Sequence, residues 1–491
     1  MSSVERKMAR ILLINAAGNY TFPNIVNPPL GLMYLASALR KRNGHQIKIL
    51  DMRPDCLGQS DVIEEIARFR PEIVGISALS PEANILHSLS KEIKKAGDCK
   101  IIVGGPHAIS YPDDCLNDPH IDYVVLGEGE NTMPELVEIL SRGGDASRVR
   151  GIAFRLDMDV VLTSPREYIQ NLDELAFPAW DLIDIRKYWK CWRPNPLQNH
   201  QPYMAIITSR GCVFECTYCN QVMGRTFRAR SPENVFEEIE TLYGDYGIRD
   251  FEIRDSCFNT DKKRALKICD LIIHSGLKIS LSFSNGLRGD LIDDELLMKL
   301  REAGTNQISY AIETASQRIQ KLVKKSLDLD KIEKVIEKTA DCGIVTYGFF
   351  MIGFPTETKR EIEETVKLAL KLKLDMACFF IVNPFPASEL YRQAKMVYKH
   401  DAIDFSKFSY MYADFNLSEV SDKELLGYQR KLYRSFYMNS RRMIKLLWKM
   451  PNKFIMLSYV LLLWVKLFAS RSRKCHGFLY KIRPLSWGLK Y

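Results

Sequence analysis

Acid is missing from one end of this chain. Beyond Glu424 there is no Asp or Glu, while 15 Lys or Arg stand there. The remainder holds 54 basic and 60 acidic residues, so the formal net charge of +9 belongs to the tail, and the body is mildly acidic. That argues against a protein coating nucleic acid with its whole surface, and no RNA-binding motif accompanies the charge. A run of about 20 apolar residues, which a membrane-spanning helix needs, is also missing. The densest apolar stretch, 454–465, is shorter and ends at Lys466. No signal peptide opens the sequence. The twelve cysteines are therefore expected to be reduced, in a cytoplasmic chain, rather than paired as a disulfide scaffold. After the first expected strand stands Asn15-Ala16-Ala17-Gly18-Asn19, not the G-x-G-x-x-G of dinucleotide-binding domains.

What is present is a short cysteine loop, Ser209-Arg210-Gly211-Cys212-Val213-Phe214-Glu215-Cys216-Thr217-Tyr218-Cys219-Asn220. Cys212, Cys216 and Cys219 follow a C-x3-C-x2-C spacing. Three thiolates this close can hold three irons of a [4Fe–4S] cube. Such cubes normally take four cysteines, so one iron is left open. The competing reading is structural zinc, which takes four ligands, usually as paired C-x2-C units. No second pair lies nearby, and Cys191 or His200 as a fourth ligand would fit no ribbon or finger spacing. The loop resembles that of radical S-adenosylmethionine (SAM) enzymes. The resemblance implies that the open iron chelates the amino and carboxylate groups of SAM. One electron then splits SAM into methionine and a 5′-deoxyadenosyl radical.

At 491 residues, 46% hydrophobic and 26% charged, the chain has room for two or three packed domains. Over 8–150, short apolar runs at 11–15, 46–51, 73–77, 101–103 and 123–126 alternate with helical stretches at 30–41 and 84–95. Continuous apolar strands separated by helices predict an α/β fold with a doubly wound parallel sheet, whose ligand lies beyond the strand carboxyl ends. Pro28 to Leu39, Gly75 to Ser80, Gly104-Gly105-Pro106-His107 and Gly127-Glu128-Gly129-Glu130 resemble the Rossmann-like cobalamin-binding domain of the B12-dependent radical SAM family. The resemblance implies that Ser77, Gly104, Gly105, Gly127, Glu128 and Gly129 line the corrin and its nucleotide tail. The D-x-H-x-x-G that supplies a cobalt-ligating His in many B12 domains is absent, so no protein His is expected on cobalt. His107 is read as a packing or hydrogen-bonding residue, and His45 as a turn residue.

Residues 151–200 read as a connector, with a hairpin at 151–163 and an aromatic anchor, Trp180. From 201 to 395 six strand–helix units follow, which predicts a partial (β/α)6 barrel with its site at the strand carboxyl ends. Strands are expected at 204–208, 250–254, 280–284, 307–312, 345–352 and 376–382. The cysteine loop follows the first of them. Four segments resemble family segments around SAM: Arg254 to Asn259, Ser284 to Asp290, Ala311-Ile312-Glu313-Thr314, and Gly353-Phe354-Pro355-Thr356-Glu357. They imply SAM-side roles for Asn285, Arg288 and Glu313. Cys257 and Cys378 are read as small buried apolar residues, with hydrogen-atom donation as the sharper alternative.

Residues 396–491 read as a basic helical tail. Its apolar run between basic flanks suits a helix lying on an anionic membrane, so the protein is expected on the inner membrane face. The resemblance implies a [4Fe–4S] cluster, SAM and cobalamin as cofactors, and a flavodoxin- or ferredoxin-like electron donor. The expected activity is methylation of an unactivated carbon of a hydrophobic, lipid-like small molecule. Cyclisation, ring rearrangement or carbon–carbon coupling with the same cofactors is the second reading. A non-catalytic membrane-associated B12 or Fe–S sensor is the third.

Overall fold

Ile11, Leu12, Leu13 and Ile14 have no solvent exposure. Four successive buried residues require a strand covered on both faces. In the computed structural model, which describes residues 8–17, 27–157, 159–189, 202–220, 222–397 and 415–449, that strand is β1 (Arg10–Asn15). It is followed by α1 (Leu30–Asn43), β2 (Gln46–Asp51), α2 (Gln59–Phe69), β3 (Ile73–Ser77), α3 (Ala83–Ala96) and β4 (Lys100–Gly104). Next come α4 (Gly105–Ser110), α5 (Pro112–Asn117), β5 (Tyr123–Val125), α6 (Gly129–Ser141), β6 (Ile152–Leu156) and β7 (Asp159–Leu162). The sheet order is β2-β1-β3-β4-β5-β6-β7. The pairs from β2 to β5 are parallel, whereas β5–β6 and β6–β7 are antiparallel. The hairpin expected inside the connector thus extends the first sheet.

After α7 (Ile185–Trp189), the second sheet starts with β8 (Tyr203–Ile206). The two-residue strands β9 (Ser209–Arg210) and β10 (Arg228–Ala229) pair antiparallel, and α8 (Pro232–Asp245) leads to β11 (Asp250–Ile253). Then follow α9 (Lys262–Ser275), β12 (Ser280–Leu287), α10 (Asp294–Glu302), β13 (Thr305–Glu313), α11 (Gln317–Leu322), α12 (Leu329–Asp341), β14 (Val345–Ile352), α13 (Lys359–Lys371), β15 (Met376–Ile381) and α14 (Glu389–Val397). The order β15-β14-β13-β12-β11-β8 is sequential and all parallel. Among the described residues β8 and β15 do not pair, so this is a partial barrel. Side-chain caps open the helices: Ser231 on α8, Asp261 on α9, Asp293 on α10, Asp328 on α12 and Thr358 on α13 each accept an N–H of the first turn.

Period-2 alternation divides the strands. Phe251, Phe283, Ile308, Tyr310, Phe350 and Phe379 join the core under the helices. The opposite face of β12 and β13 carries Ser282, Ser284, Gln307 and Ser309. That face of β14 and β15 carries Tyr347, Phe349, Cys378 and Phe380, with ring centroids 5.1 Å apart for Tyr347–Phe349 and 6.1 Å for Phe349–Phe380. One wall of the interior is polar and the other aromatic.

The tail begins differently from its charge pattern. Helix α15 (Asp422–Tyr437) covers the outer edge of β15. Gln429 Nε2 donates to Phe379 O at 2.8 Å, and Tyr433 Oη accepts from Phe379 N at 3.2 Å. Tyr437 Oη donates to Ala377 O at 2.7 Å and accepts from Ala377 N at 3.0 Å. These three side chains, one turn apart, replace the missing strand. Helix α16 (Ser440–Lys449) lies against the amino-terminal ends of β14 and β15. Leu446 is buried with Val345 beside Met376, and Lys449 Nζ pairs with Asp375 at 2.6 Å. The early tail is therefore a packing element rather than wholly a membrane-lying segment. The run 454–465 lies outside the described residues. Among the described residues no helix is long and apolar enough to cross a membrane.

Ending the chain at Glu424 is expected to be damaging. It would uncover the β15 edge and the sites of Leu425, Leu432 and Phe436, all fully buried. Each such side chain contributes about 1.5–3 kcal/mol, and a bare edge templates aggregation. Size-exclusion chromatography should show aggregate for a chain ending at 424 and soluble protein for one ending at 449.

Candidate functional site

The cysteine loop is fixed at both ends by β8, β9 and their neighbours. The Asp255 carboxylate accepts from Thr208 N at 2.6 Å, Thr208 Oγ1 at 2.5 Å and Ser209 Oγ at 2.6 Å. Gly211 has φ 79°, and a Cβ there would stand 2.0 Å from Thr226 O, so no side chain fits. Thr217 N donates to Val323 O at 3.0 Å, and Leu390 N to Thr217 O at 2.8 Å. The loop thus hangs over the mouth, between the ends of β13 and β15.

Burial pushes the Cys216 thiol up, and nearby Lys325 opposes it. Cys219 lies on the open face of the loop, yet enough atoms crowd it that desolvation, then the Cys216 and Cys212 sulfurs, push it up to about 11. Two neighbouring thiols, Cys216 and Cys219, that resist deprotonation are ready to shed protons when a polycation binds. Glu313 ends β13 at a register irregularity with φ 69°, a strained geometry for a side chain. Burial raises its pKa, and Lys325 Nζ stands 3.6 Å away. The Tyr218 hydroxyl sits near Glu313 and Cys216 but completes no hydrogen bond of good geometry. Ser284 Oγ and Asn220 Oδ1 are likewise buried without a partner. Three thiols with unsatisfied polar atoms around them fit an Fe–S cluster and a polar ligand chelated to it.

Arg288 stacks on Phe214 of the cysteine loop, 3.9 Å from the ring centroid, and is held by Asp290 at 2.9 Å. Asn285 Nδ2 donates to Arg254 O at 2.8 Å. Both residues stand at the mouth, and these contacts are to the protein. Cys257 is buried and packed; Cys378 faces the interior, 2.8 Å from Tyr347 Oη. Glu357 folds back on its own loop, its Oε2 accepting from Gly353 N at 2.6 Å and Phe354 N at 3.1 Å. Burial raises its pKa from 4.5 to about 8. The folded state then holds a proton that the unfolded state releases, so this group's contribution to stability declines as pH rises from 4.5 to 8. Glu357→Gln should flatten that part of the stability–pH curve, read by thermal melts across the interval.

In the first domain, Ser77 and Gly104 end neighbouring strands. Gly105 follows with φ 84°, and a Cβ there would meet Ser77 Oγ at 2.4 Å. Gly127, φ 73°, faces open space, and Gly129 opens α6. This cradle at the carboxyl ends fits a large flat ligand approaching the backbone. The Tyr111 and Tyr391 rings meet edge to face at 5.9 Å, which joins the two halves. Glu128 differs from its expected corrin-lining role. Its buried carboxylate takes Arg210 Nη1 at 2.9 Å, Arg228 Nη1 at 2.8 Å and Ile169 N at 2.7 Å. Glu130 takes Arg210 Nη2 at 2.6 Å. This clamp ties the end of β5 to the residue two before Cys212. His107 is fully buried, with Nε2 3.0 Å from Asp114 and Nδ1 3.4 Å from Ser80 Oγ. Cobalamin bound here should therefore give a Co(II) EPR spectrum without axial nitrogen superhyperfine splitting.

Arg210, Arg228 and Lys325 were not singled out from sequence. Arg210 sits inside the cysteine motif, which was the available signal.

A three-thiol loop at the mouth of a parallel partial barrel, locked to a doubly wound domain, defines a cobalamin-binding radical SAM enzyme. Residues 24–137 match the B12 binding domain and residues 206–369 the radical SAM superfamily. The chain is 32% identical over 446 residues, 89% of its length and 95% of the relative's, to an uncharacterized methyltransferase of Pyrococcus horikoshii. It is 30% identical to the anaerobic magnesium-protoporphyrin IX monomethyl ester cyclase of Rubrivivax gelatinosus, over 84% of this chain and 74% of that one. It is also 30% identical to the cytidylyl-2-hydroxyethylphosphonate methyltransferase of Streptomyces wedmorensis, over 79% and 82%. Its fold is similar to that of the radical SAM methyltransferase TsrM from Kitasatospora setae, solved with cobalamin and a [4Fe–4S] cluster (TM-score 0.68, 18% identity, 88% and 89% covered). The chain belongs to the B12-binding radical SAM family and is a cobalamin-dependent methyltransferase or cyclase, with a [4Fe–4S] cluster, SAM and cobalamin as cofactors.

Proposed function

We propose that this enzyme is a methyltransferase acting on an unactivated carbon of a largely apolar small molecule. The observation that carries the substrate class is the aromatic wall of Tyr347, Phe349 and Phe380 opposite the polar wall of β12 and β13. Such a split suits a substrate with an apolar body and a polar end. Methyl transfer is favoured because two of the relatives that cover most of this chain are named methyltransferases. When bound, the cofactors supply a one-electron reductant, a hydrogen-abstracting radical and a methyl carrier, so no side-chain acid or base is required. Cys212, Cys216 and Cys219 hold the cluster, while Glu313 and Ser284 offer SAM acceptors and a hydroxyl. Gly104, Gly105, Gly127 and Gly129 make room for the corrin. The Arg210 clamp keeps the two loops in register.

A flavodoxin- or ferredoxin-like donor delivers the electron. The outer face of α16 presents Ile444 and Trp448, 56% and 77% exposed, beside exposed Arg441 and Lys445. This basic, apolar face supports peripheral attachment to an anionic membrane. The cyclase reading rests on the Rubrivivax relative. Feeding methyl-deuterated methionine to strains with and without the gene, then comparing lipid extracts by mass spectrometry, tests the proposal. A gene-dependent product carrying the labelled methyl supports it. A gene-dependent product without label sinks methyl transfer in favour of ring formation.

A further inference from the structure

Away from the cysteine loop, three helices of the first domain bring together a second set of donors. His87 projects from α3, His107 from α4 and Asp114 from α5. His87 Nε2 and His107 Nε2 each stand 3.0 Å from Asp114 Oδ2. All three atoms lie within 4.8 Å of one another. Two imidazole nitrogens and one carboxylate oxygen converging on a point form a ligand set used by zinc and its neighbours.

The surroundings add an independent observation. A metal-bound His usually gives its other ring nitrogen to an oxygen, which fixes its tautomer. His87 Nδ1 lies 2.9 Å from Asp118 Oδ2, and His107 Nδ1 lies 3.4 Å from Ser80 Oγ. Asp118 is itself anchored, accepting from His120 N at 2.9 Å. Asp114 and Asp118 together balance the charge of a divalent cation. His107 is fully buried, while the side chains of Asp114 and His87 are 35% and 28% exposed. The set therefore opens to water on one side, where a fourth ligand enters.

We propose that His87, His107 and Asp114 bind one divalent transition-metal ion, with zinc the best match to this donor set. The ion fastens α3 to α4 and α5 directly beside Gly104 and Gly105. It thereby stiffens the shell around the cobalamin cradle, and it is separate from the cluster.

Zinc is the probe. Full-length Cys212→Ala/Cys216→Ala/Cys219→Ala protein, which has no thiol competitor in the loop, and cluster-loaded wild type are each dialysed with zinc and then without it. Mass-spectrometric metal analysis should find about one zinc per chain in both, and X-ray absorption should show only N/O ligands near 2.0–2.1 Å. His87→Gln should lower retention at least tenfold. Asp118→Asn, which keeps every ligand, should weaken binding about 10–100-fold. Absence of zinc from the triple variant, sulfur in its ligand shell, or retention unmoved by His87→Gln overturns the site. The three side chains are then a hydrogen-bonded His–Asp–His set only. If His87→Gln melts differently from its parent in chelator, the Asp118→Asn result decides.

Discussion

Cys216→Ala is expected to yield protein without a full [4Fe–4S] cluster and with no measurable 5′-deoxyadenosine after reduction with SAM. Cys216 is the most enclosed thiol of the three, 9% exposed, and its backbone carbonyl accepts from Cys219 N at 3.2 Å. Its loss removes one iron ligand from a cluster that already lacks a fourth protein ligand. Iron and sulfide analysis with the visible Fe–S absorbance reads the first effect, and chromatography of the nucleoside reads the second. A variant with a complete cluster and undiminished SAM cleavage would show that the loop is not the cluster site. Cobalamin retention is expected to survive, because the Gly104 and Gly127 cradle lies on a separate sheet.

Arg210→Met is the second large effect. The side chains of Arg210, Glu128 and Glu130 are no more than 8% exposed. Removing the arginine leaves Glu130 without this buried partner and Glu128 with Arg228 and the Ile169 amide, and breaking a buried pair this way costs about 3–5 kcal/mol. A merely local loss would end there. The clamp spans two domains, so the expected signature is a single cooperative melting transition splitting into two by calorimetry. Arg210→Met with Glu130→Gln removes most of the buried charge imbalance and should recover much of the melting temperature. Because the inter-domain bond is still gone, it should not restore the single transition. If Arg210→Met keeps one transition at the wild-type temperature, the clamp does not couple the halves.

Much of the architecture was legible because parallel strands buried on both faces announce themselves as apolar runs. The strand at 345–352 and the cysteine spacing were read directly in this way. Helices α2 and α6 were not singled out. Helix α6 starts inside Gly127-Glu128-Gly129-Glu130, which reads as a loop, and holds Pro134 within it. The partner of Glu128 was not legible at all, since Arg210 is 82 residues away and a carboxylate near a glycine pair fits a ligand contact equally well. The packing of the early tail was hidden for a related reason. Fifteen cations without acid suggest a helix on an anionic membrane, and the apolar run that carries that reading lies outside the described residues; the charge says nothing of α15, which meets backbone carbonyls and amides through Gln429, Tyr433 and Tyr437. Likewise, nothing in the chain's order announces that Asn285 and Arg288 touch their own barrel.

The helix that satisfies β15 from outside also separates two kinds of selection. Side chains of one strand point alternately outward and inward, and here the edge hydrogen bonds to α15 run through the backbone of Ala377 and Phe379. Cys378 and Phe380, on the inward set, carry none of those edge bonds. Exchanging Phe380 for a larger or smaller residue would reshape the aromatic wall without removing a partner of those edge bonds. Variation at Phe380 would thus change the shape of the interior while the strand keeps the backbone bonds that hold it to α15.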